Sequence, residues 1–130
     1  MLTDDELVDG FETGSLSEFP HASHVRLTLV YLARHGRDET LRRLMEGLLR
    51  FATAKGHPGK FHVTMTRAWV DLLDASRRAR PGLSPADLLT ACPELLDRDA
   101  LHRFYSPARL NSAEARERWV PPDRAGIQRI

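Results

Sequence analysis

The clearest helical pattern in the chain lies at residues 38–55, which read DETLRRLMEGLLRFATAK. Apolar side chains recur there at the spacing of one α-helical face, and they are Leu41, Leu44, Met45, Leu48 and Ala52. Charged residues such as Arg42 and Glu46 fall on the other face, and Asp38 is predicted to be the N-cap. The segment therefore predicts an amphipathic helix that packs one side against the rest of the protein and ends at Lys55-Gly56.

Two further helical patterns flank this segment. The first runs from Pro20, a residue that suits the first position of a helix, to His35, where Gly36 provides a stop. The second begins near Phe61 or His62 and ends around Arg80, before Pro81-Gly82. We expect these two helices and the 38–55 helix to form the core of the fold, with Leu29, Leu32, Leu44, Leu48, Trp69 and Leu73 buried together.

Shorter helices are predicted on both sides of this core. Residues 3–6, Thr-Asp-Asp-Glu, match a capping box and open a helix that ends near Gly14. Towards the other end, helices are predicted from Ser84 to a break at Cys92-Pro93, from Asp99 to Tyr105 and from Ala113 to Val120. No segment alternates as a β-strand does. We therefore predict an all-α fold: a compact single-domain bundle of about six to seven helices over residues 1–120, followed by a C-terminal tail at 121–130.

Composition narrows the classes of partner. The chain has 130 residues, which is the usual length of one domain, and a net charge of +1, which predicts no binding to nucleic acid or an anionic membrane. It has one cysteine, its first residues are acidic, and no apolar run approaches the length of a membrane span. These features predict a cytoplasmic protein whose partner is a small-molecule substrate, and they leave its oligomeric state open.

A polar stripe borders the apolar face of the helix at residues 20–35. At 100° per residue, an arc of about 80° contains His21, His24, Thr28, Tyr31 and His35. In the helix that follows residue 61, His62 and Thr66 fall on the same face as the apolar residues Met65 and Trp69. Polar residues at the edge of a core are typical of a lined pocket, so the histidines are the candidate functional residues.

The histidines suit a metal site. His21 and His24 are three residues apart and share a helix face, and His62 is positioned to supply a third ligand from a neighbouring helix. The helix dipole disfavours the imidazolium at a helix start, which keeps a ring there neutral and able to bind a metal or act as a base. Glu12 is a candidate oxygen ligand or general base. Three imidazoles with an open position predict one transition-metal ion: zinc, iron or copper.

Several short motifs accompany these residues. They are Phe11-Glu12-Thr13-Gly14, Phe19-Pro20-His21-x-x-His24-Val25-Arg26, Lys60-Phe61-His62-x-Thr64-x-Thr66-x-x-Trp69, Cys92-Pro93-Glu94-Leu95-Leu96 and Phe104-Tyr105-Ser106-Pro107. With them the chain resembles, over nearly its whole length, a family of small bacterial helical proteins of unassigned function. It departs at Val63, where the family commonly has a glutamate. The resemblance implies one site built from Glu12, His21, His24, His62, Thr66 and Trp69, and it implies no particular reaction.

These residues lead to a functional hypothesis: a small metal-binding protein, with an enzyme favoured, that uses metal-activated water or oxygen chemistry on a small organic substrate. Catalytic roles are assigned to Glu12, Thr66 and Tyr105, and substrate contacts to Tyr31, Trp69 and Arg26. Tyr105 either closes the site or holds the last helices to the bundle. Two alternatives stay open. One is a metal-free pocket, where His21 and His62 act as acid and base or an anion is held by Arg26 or Arg67. The other is an interaction module without chemistry.

Overall fold

The computed structural model describes all residues, 1–130, as seven α-helices joined by short turns, with no strand. The helices are α1 (Asp4–Thr13), α2 (His21–His35), α3 (Arg37–Ala54), α4 (Val63–Ala79), α5 (Pro85–Ala91), α6 (Pro107–Leu110) and α7 (Ala113–Glu117). Single 3-10 turns form at Pro58–Lys60, Pro93–Leu96 and Ala100–Arg103. The predicted all-α, single-domain bundle is therefore confirmed. None of its helices combines the length and the apolar character that crossing a membrane requires.

The ends of α1 follow the predicted signals. The Thr3 hydroxyl accepts the Glu6 backbone N–H at 3.1 Å, and the Glu6 carboxylate accepts the Thr3 backbone N–H at 2.9 Å, which completes a capping box. Gly14 ends the helix with φ 73°, a left-handed conformation that glycine adopts without the steric cost of a side chain.

The start of α3 differs from the prediction. Asp38 was expected as the N-cap, but the helix already begins at Arg37, and the residue before it is Gly36 with φ 80°. Gly36 therefore ends α2 and precedes α3 with no intervening residue. Asp38 lies in the first turn instead, where its carboxylate faces the positive end of the helix dipole.

The core lies where α2, α3 and α4 pack against one another. Five of the six predicted core residues are buried together, namely Leu29, Leu32, Leu44, Trp69 and Leu73. The sixth, Leu48, is only partly buried, because it lies on the wall of a cavity one helical turn beyond Leu44. The core therefore ends at this cavity on the side of α3 that faces α4.

Glycine at position 47 allows α1 to approach α3 closely. Gly47 is buried in the middle of α3, and a Cβ atom placed there would overlap the ring of Phe11. Phe11 is itself only 2% exposed and stacks on Phe19, with the two ring centroids 5.2 Å apart. The Phe11 ring thus occupies the space that a side chain at position 47 would fill.

Residues after α4 are held to the bundle by side chains that bind backbone atoms. The Tyr105 hydroxyl donates to the Val120 carbonyl at 2.7 Å. The Thr64 hydroxyl donates to the Arg118 carbonyl at 2.7 Å and accepts the Val120 N–H at 3.1 Å. Residues 121–130 contain no helix and lie along the bundle, where the Ile130 N–H donates to the Ser76 hydroxyl at 3.3 Å. These hydrogen bonds hold the segments at residues 118–120 and 130 against the rest of the bundle.

A histidine-lined cavity as the candidate functional site

A cavity of about 600 Å³, partly open to solvent, lies between α2, α3, α4 and the 3-10 turn that precedes α4. Its walls are largely apolar and include Phe19, Leu48, Phe51, Met65 and Trp69. All three predicted histidines line it, together with Thr66. The structure therefore brings together five of the predicted site residues, which are His21, His24, His62, Thr66 and Trp69.

His21 is the first residue of α2 and presents one free ring nitrogen. Its Nε2 lies 3.3 Å from the Leu95 carbonyl oxygen, and because a carbonyl only accepts, this nitrogen carries the proton. Nδ1 then has the lone pair, and no protein group binds it. Burial lowers the pKa of His21, and the nearby charge of Arg98 lowers it further, although the hydrogen bond to Leu95 opposes this. The ring is therefore a neutral hydrogen-bond acceptor near pH 7.

His24 lies one turn further along α2. Its ring centroid is 6.5 Å from that of His21 and 5.6 Å from that of Phe19. The Nε2 atom is inaccessible to solvent and has no hydrogen-bond partner. Burial lowers the pKa of His24 to about 4, and neighbouring His21 contributes, so the ring is neutral at pH 7. His24 also lines the cavity, and its buried Nε2 is an unused hydrogen-bonding position.

His62 uses both ring nitrogens inside the protein. It is the N-cap of α4, where its Nδ1 accepts the Met65 N–H at 3.0 Å. Its Nε2 donates to the Leu110 carbonyl at 2.8 Å, so the ring is neutral with a fixed tautomer, and burial lowers its pKa. Thr66 donates its hydroxyl proton to the His62 carbonyl at 2.7 Å. His62 therefore positions α4 and the residues around Leu110, and no lone pair is left for a ligand.

This arrangement bears on the predicted metal ligands. A metal bound by His21, His24 and His62 needs one nitrogen lone pair from each ring. To provide one, His62 must release the N–H of Met65 or change its tautomer and lose the bond to Leu110. No three His, Cys, Asp or Glu side chains lie close enough together to hold a metal ion. A transition-metal ion stays a prediction, but this trio does not present the ligand set on which it was based.

Glu12 and Tyr31 lie outside the cavity and contact each other. The Tyr31 hydroxyl donates to the Glu12 carboxylate at 2.8 Å, and Arg43 donates to the same oxygen at 3.1 Å. Burial raises the pKa of Tyr31, and the hydrogen bond to Glu12 adds to this effect. These contacts tie α1, α2 and α3 together, and neither residue lines the cavity with His21, His24 and His62.

Tyr105 and the two candidate arginines also lie away from the cavity. Tyr105 is fully buried with its hydroxyl on Val120, and burial raises its pKa to about 12. Arg26 donates to the Asp4 carboxylate at 2.7 Å, and the Arg67 guanidinium lies 4.1 Å from the Trp119 ring centroid. In this structure Tyr105 holds the last helices to the bundle, which is the second of the two roles considered for it.

Sequence reasoning missed the cations that line the cavity. They are Lys55, at the end of α3, Lys60, in the 3-10 turn before α4, and Arg98, after the 93–96 turn. Lys60 stands two residues before His62 in the motif Lys60-Phe61-His62, so the sequence alone could have indicated it. No sequence signal indicated Arg98, because only the fold brings its segment next to the start of α2.

The comparisons with known proteins give no match: no protein family, no curated protein and no solved structure is similar enough to this chain to be matched with it.

Proposed function

We propose that the protein binds a small organic molecule in the histidine-lined cavity and that His21 accepts a hydrogen bond from it. One observation carries the proposal: His21 lines a cavity of about 600 Å³, and its Nδ1 atom has no protein partner. This volume falls within the range of roughly 300–1,000 Å³ that is usual for small-molecule sites. Apolar walls with a few polar groups are also characteristic of such sites.

The walls favour a ligand with a flat apolar part. The Trp69 ring meets the His21 ring edge-on, with centroids 4.7 Å apart, so an aromatic side chain lies next to His21 in the cavity wall. Phe51 and Leu48 contribute apolar side chains to the cavity from α3. A ligand ring packed against these side chains would direct its O–H or N–H group to His21.

His21 has the properties of a general base. Its lowered pKa keeps the ring neutral near pH 7, and the Leu95 carbonyl fixes the tautomer that leaves Nδ1 unprotonated. A ligand O–H or N–H that donates to Nδ1 can transfer its proton there, and the imidazolium can return that proton to the product. Proton transfer at His21 is therefore the reaction class we propose if the protein is an enzyme.

The test uses Trp69 as the reporter. Trp119 is replaced by phenylalanine so that Trp69 is the remaining tryptophan, and a library of small aromatic compounds is screened by fluorescence. We expect hits that saturate, that weaken at least about tenfold in His21→Ala, where the acceptor is lost, and that keep their affinity in His35→Ala, an exposed histidine outside the cavity. The proposal fails if no compound binds, or if hits bind His21→Ala as tightly as the parent.

A metal-bound form of the site is the second candidate. The observation that favours it is that His21 Nδ1 and His24 Nε2 both lack protein partners on one face of α2. Metal content is measured by elemental analysis of protein purified without a histidine tag. Stoichiometric zinc, iron or copper that is lost in His24→Ala supports this candidate, whereas metal-free protein that still binds the organic ligands contradicts it. His62→Gln is expected to retain any metal, because its nitrogens are already used.

A further inference from the structure

We infer that the ligand of this cavity is an organic anion and that Lys60 and Arg98 receive its carboxylate or phosphate group. The inference rests on the proposed function, because it names the chemical class of the molecule that binds there. Three features of the cavity support it. Most of the charged side chains that line it are positive, two of these cations have no partner within the protein, and the walls are largely apolar.

The charged residues on the cavity are mostly positive. Lys55, Lys60 and Arg98 line it, against Asp99 as the one carboxylate. The three histidines add no charge near pH 7, since burial lowers the pKa of each ring. The excess of positive charge is local, because the whole chain carries a net charge of only +1. Charges of one sign beside low-dielectric walls concentrate the field in a cleft and attract a ligand of the opposite sign.

Lys60 and Arg98 have no intramolecular partner. Neither side chain makes a hydrogen bond or an ion pair within 4.0 Å, whereas Lys55 donates to the Ser17 carbonyl at 2.9 Å. Elsewhere in the chain arginines are commonly paired with carboxylates, for example Arg26 with Asp4 and Arg37 with Asp71. Of the three cations that line the cavity, Lys60 and Arg98 are thus free to bind an anionic group from outside the protein.

The charge of Arg98 also reaches the ring to which the ligand is proposed to donate. The charge of Arg98 lowers the pKa of His21, and the charge of Asp97 opposes this effect. Because Arg98 and His21 line the same cavity, one molecule can place an anionic group beside Arg98 and donate an O–H or N–H group to His21 Nδ1. The apolar body between these groups would face Trp69. These positions describe an aromatic acid or aromatic phosphate that carries a hydroxyl or amino group.

The experiment compares three probes that share a phenol ring. They are 4-hydroxybenzoate, its uncharged analogue 4-hydroxybenzamide, and 4-hydroxyphenyl phosphate. Binding is followed by NMR at the Trp69 indole N–H in the Trp119→Phe protein. We expect one or both anions to bind at least about tenfold more tightly than the amide, as one charge-assisted hydrogen bond would give. The carboxylate and phosphate probes show which oxyanion the two cations prefer.

Charge-reversal variants locate the interaction. Lys60→Glu and Arg98→Glu change exposed side chains without partners, so both proteins are expected to fold, and each should weaken anion binding about tenfold while the affinity for the amide is unchanged. Arg103→Glu is the matched control, because Arg103 is exposed, has no ion-pair partner and does not line the cavity. It should leave the affinity for every probe near that of the parent.

The outcomes separate the two proposals. If the amide binds as well as the anions, or if both charge reversals leave anion affinity unchanged, the assignment of an anionic ligand is overturned while the binding function stands. If none of the three probes, nor any member of the aromatic library, shifts the Trp69 signal, both proposals fall.

Discussion

His62 shows how a single side chain can connect distant parts of this chain. One ring nitrogen caps α4, and the other binds the carbonyl of Leu110, which lies 48 positions further along. The bond to the Leu110 carbonyl needs a donor and the cap needs an acceptor, and a neutral imidazole supplies both. The residue therefore fixes the start of α4 relative to the end of α6.

Replacing His62 by alanine should destabilise the protein markedly. The change removes an N-cap, worth about 1 kcal/mol, and leaves the buried Leu110 carbonyl without a donor, worth about 1–3 kcal/mol. We expect the free energy of unfolding, measured by urea denaturation, to fall by about 2–4 kcal/mol. His57→Ala is the control, since His57 is exposed and its side chain caps nothing, and it should change stability by less than about 0.5 kcal/mol. Equal effects at both positions would contradict the role assigned to His62.

At this scale the sequence indicated where side chains point but not what they bind. Helical periodicity placed His21 and His24 at the edge of the core and His62 on an apolar helix face, and all three line the cavity. It did not show that both nitrogens of His62 are used, because Leu110 is brought to it by tertiary folding. The same limit applies to Glu12, whose partner Arg43 is 31 positions away and on another helix.

Among the elements, α3 has the most demanding packing. It contacts α1, α2 and α4 and forms one wall of the cavity, so its faces have different requirements. Gly47 lies on the face that packs against α1, where the Phe11 ring occupies the space of a side chain. Leu44 is buried in the core, and Leu48 lies on the cavity wall. Each requirement can be tested by one substitution.

Gly47→Ala separates helix propensity from packing. Propensity alone predicts stabilisation by about 1 kcal/mol, because alanine is the better helix former. A Cβ at this position overlaps Phe11, which is buried and has little room to move, so we expect destabilisation by about 1–3 kcal/mol instead. Thermal and urea unfolding give the sign. A double variant, Gly47→Ala with Phe11→Leu, should lose less than the sum of the single changes, and strict additivity would contradict the proposed clash.

Leu44→Ala and Leu48→Ala form a matched pair on one helix. Leu44 is fully buried, and its truncation should cost about 2–5 kcal/mol, as large-to-small changes in cores do. Leu48 lies on the wall of an existing cavity, so fewer contacts are lost and we expect less than half of that cost. The free energies of unfolding of the two variants check this difference. Similar losses would mean that Leu48 is as tightly packed as Leu44.

Helix boundaries were predictable where local signals set them. The capping box at Thr3 and the stop at Gly14 were both identified, because a cap depends on neighbouring residues. The segment predicted as a helix from Asp99 to Tyr105 is instead a single 3-10 turn at Ala100–Arg103, and α6 at Pro107–Leu110 was not predicted. Such short elements have little intrinsic stability, and contacts such as that of Tyr105 with Val120 determine their form.

For the molecule as a whole, the partly buried His21 and His24 and the buried His62 make stability depend on pH. Burial lowers the pKa of His21, His24 and His62, that of His24 to about 4 from an ordinary 6.5. Between pH 6.5 and about 4 the folded protein therefore binds fewer protons than the unfolded chain. By linkage, the folded state is most favoured above pH 6.5 and loses stability as the pH falls towards 4.

We expect His24 alone to account for a loss of about 2 kcal/mol between pH 7 and pH 5. The measurement is urea denaturation at pH 7, 6 and 5, in the range above the ordinary pKa values of carboxylates. His24→Phe removes this titrating group and should reduce the pH dependence by that amount, while the exposed control His35→Ala should retain it. An unchanged slope in His24→Phe would show that this ring is not buried in its neutral form.

The bonds that hold the second half of the chain have a consequence for how related sequences can diverge. Three side chains each donate a hydrogen bond to a backbone carbonyl: Thr64 to Arg118, His62 to Leu110 and Tyr105 to Val120. A carbonyl group is the same whichever side chain its residue carries, so these bonds specify the path of the chain and place no demand on the identity of the residue bound. We therefore expect the residue at the exposed position 118 to vary among related sequences, and the hydroxyl at 64 and the imidazole at 62 to be retained.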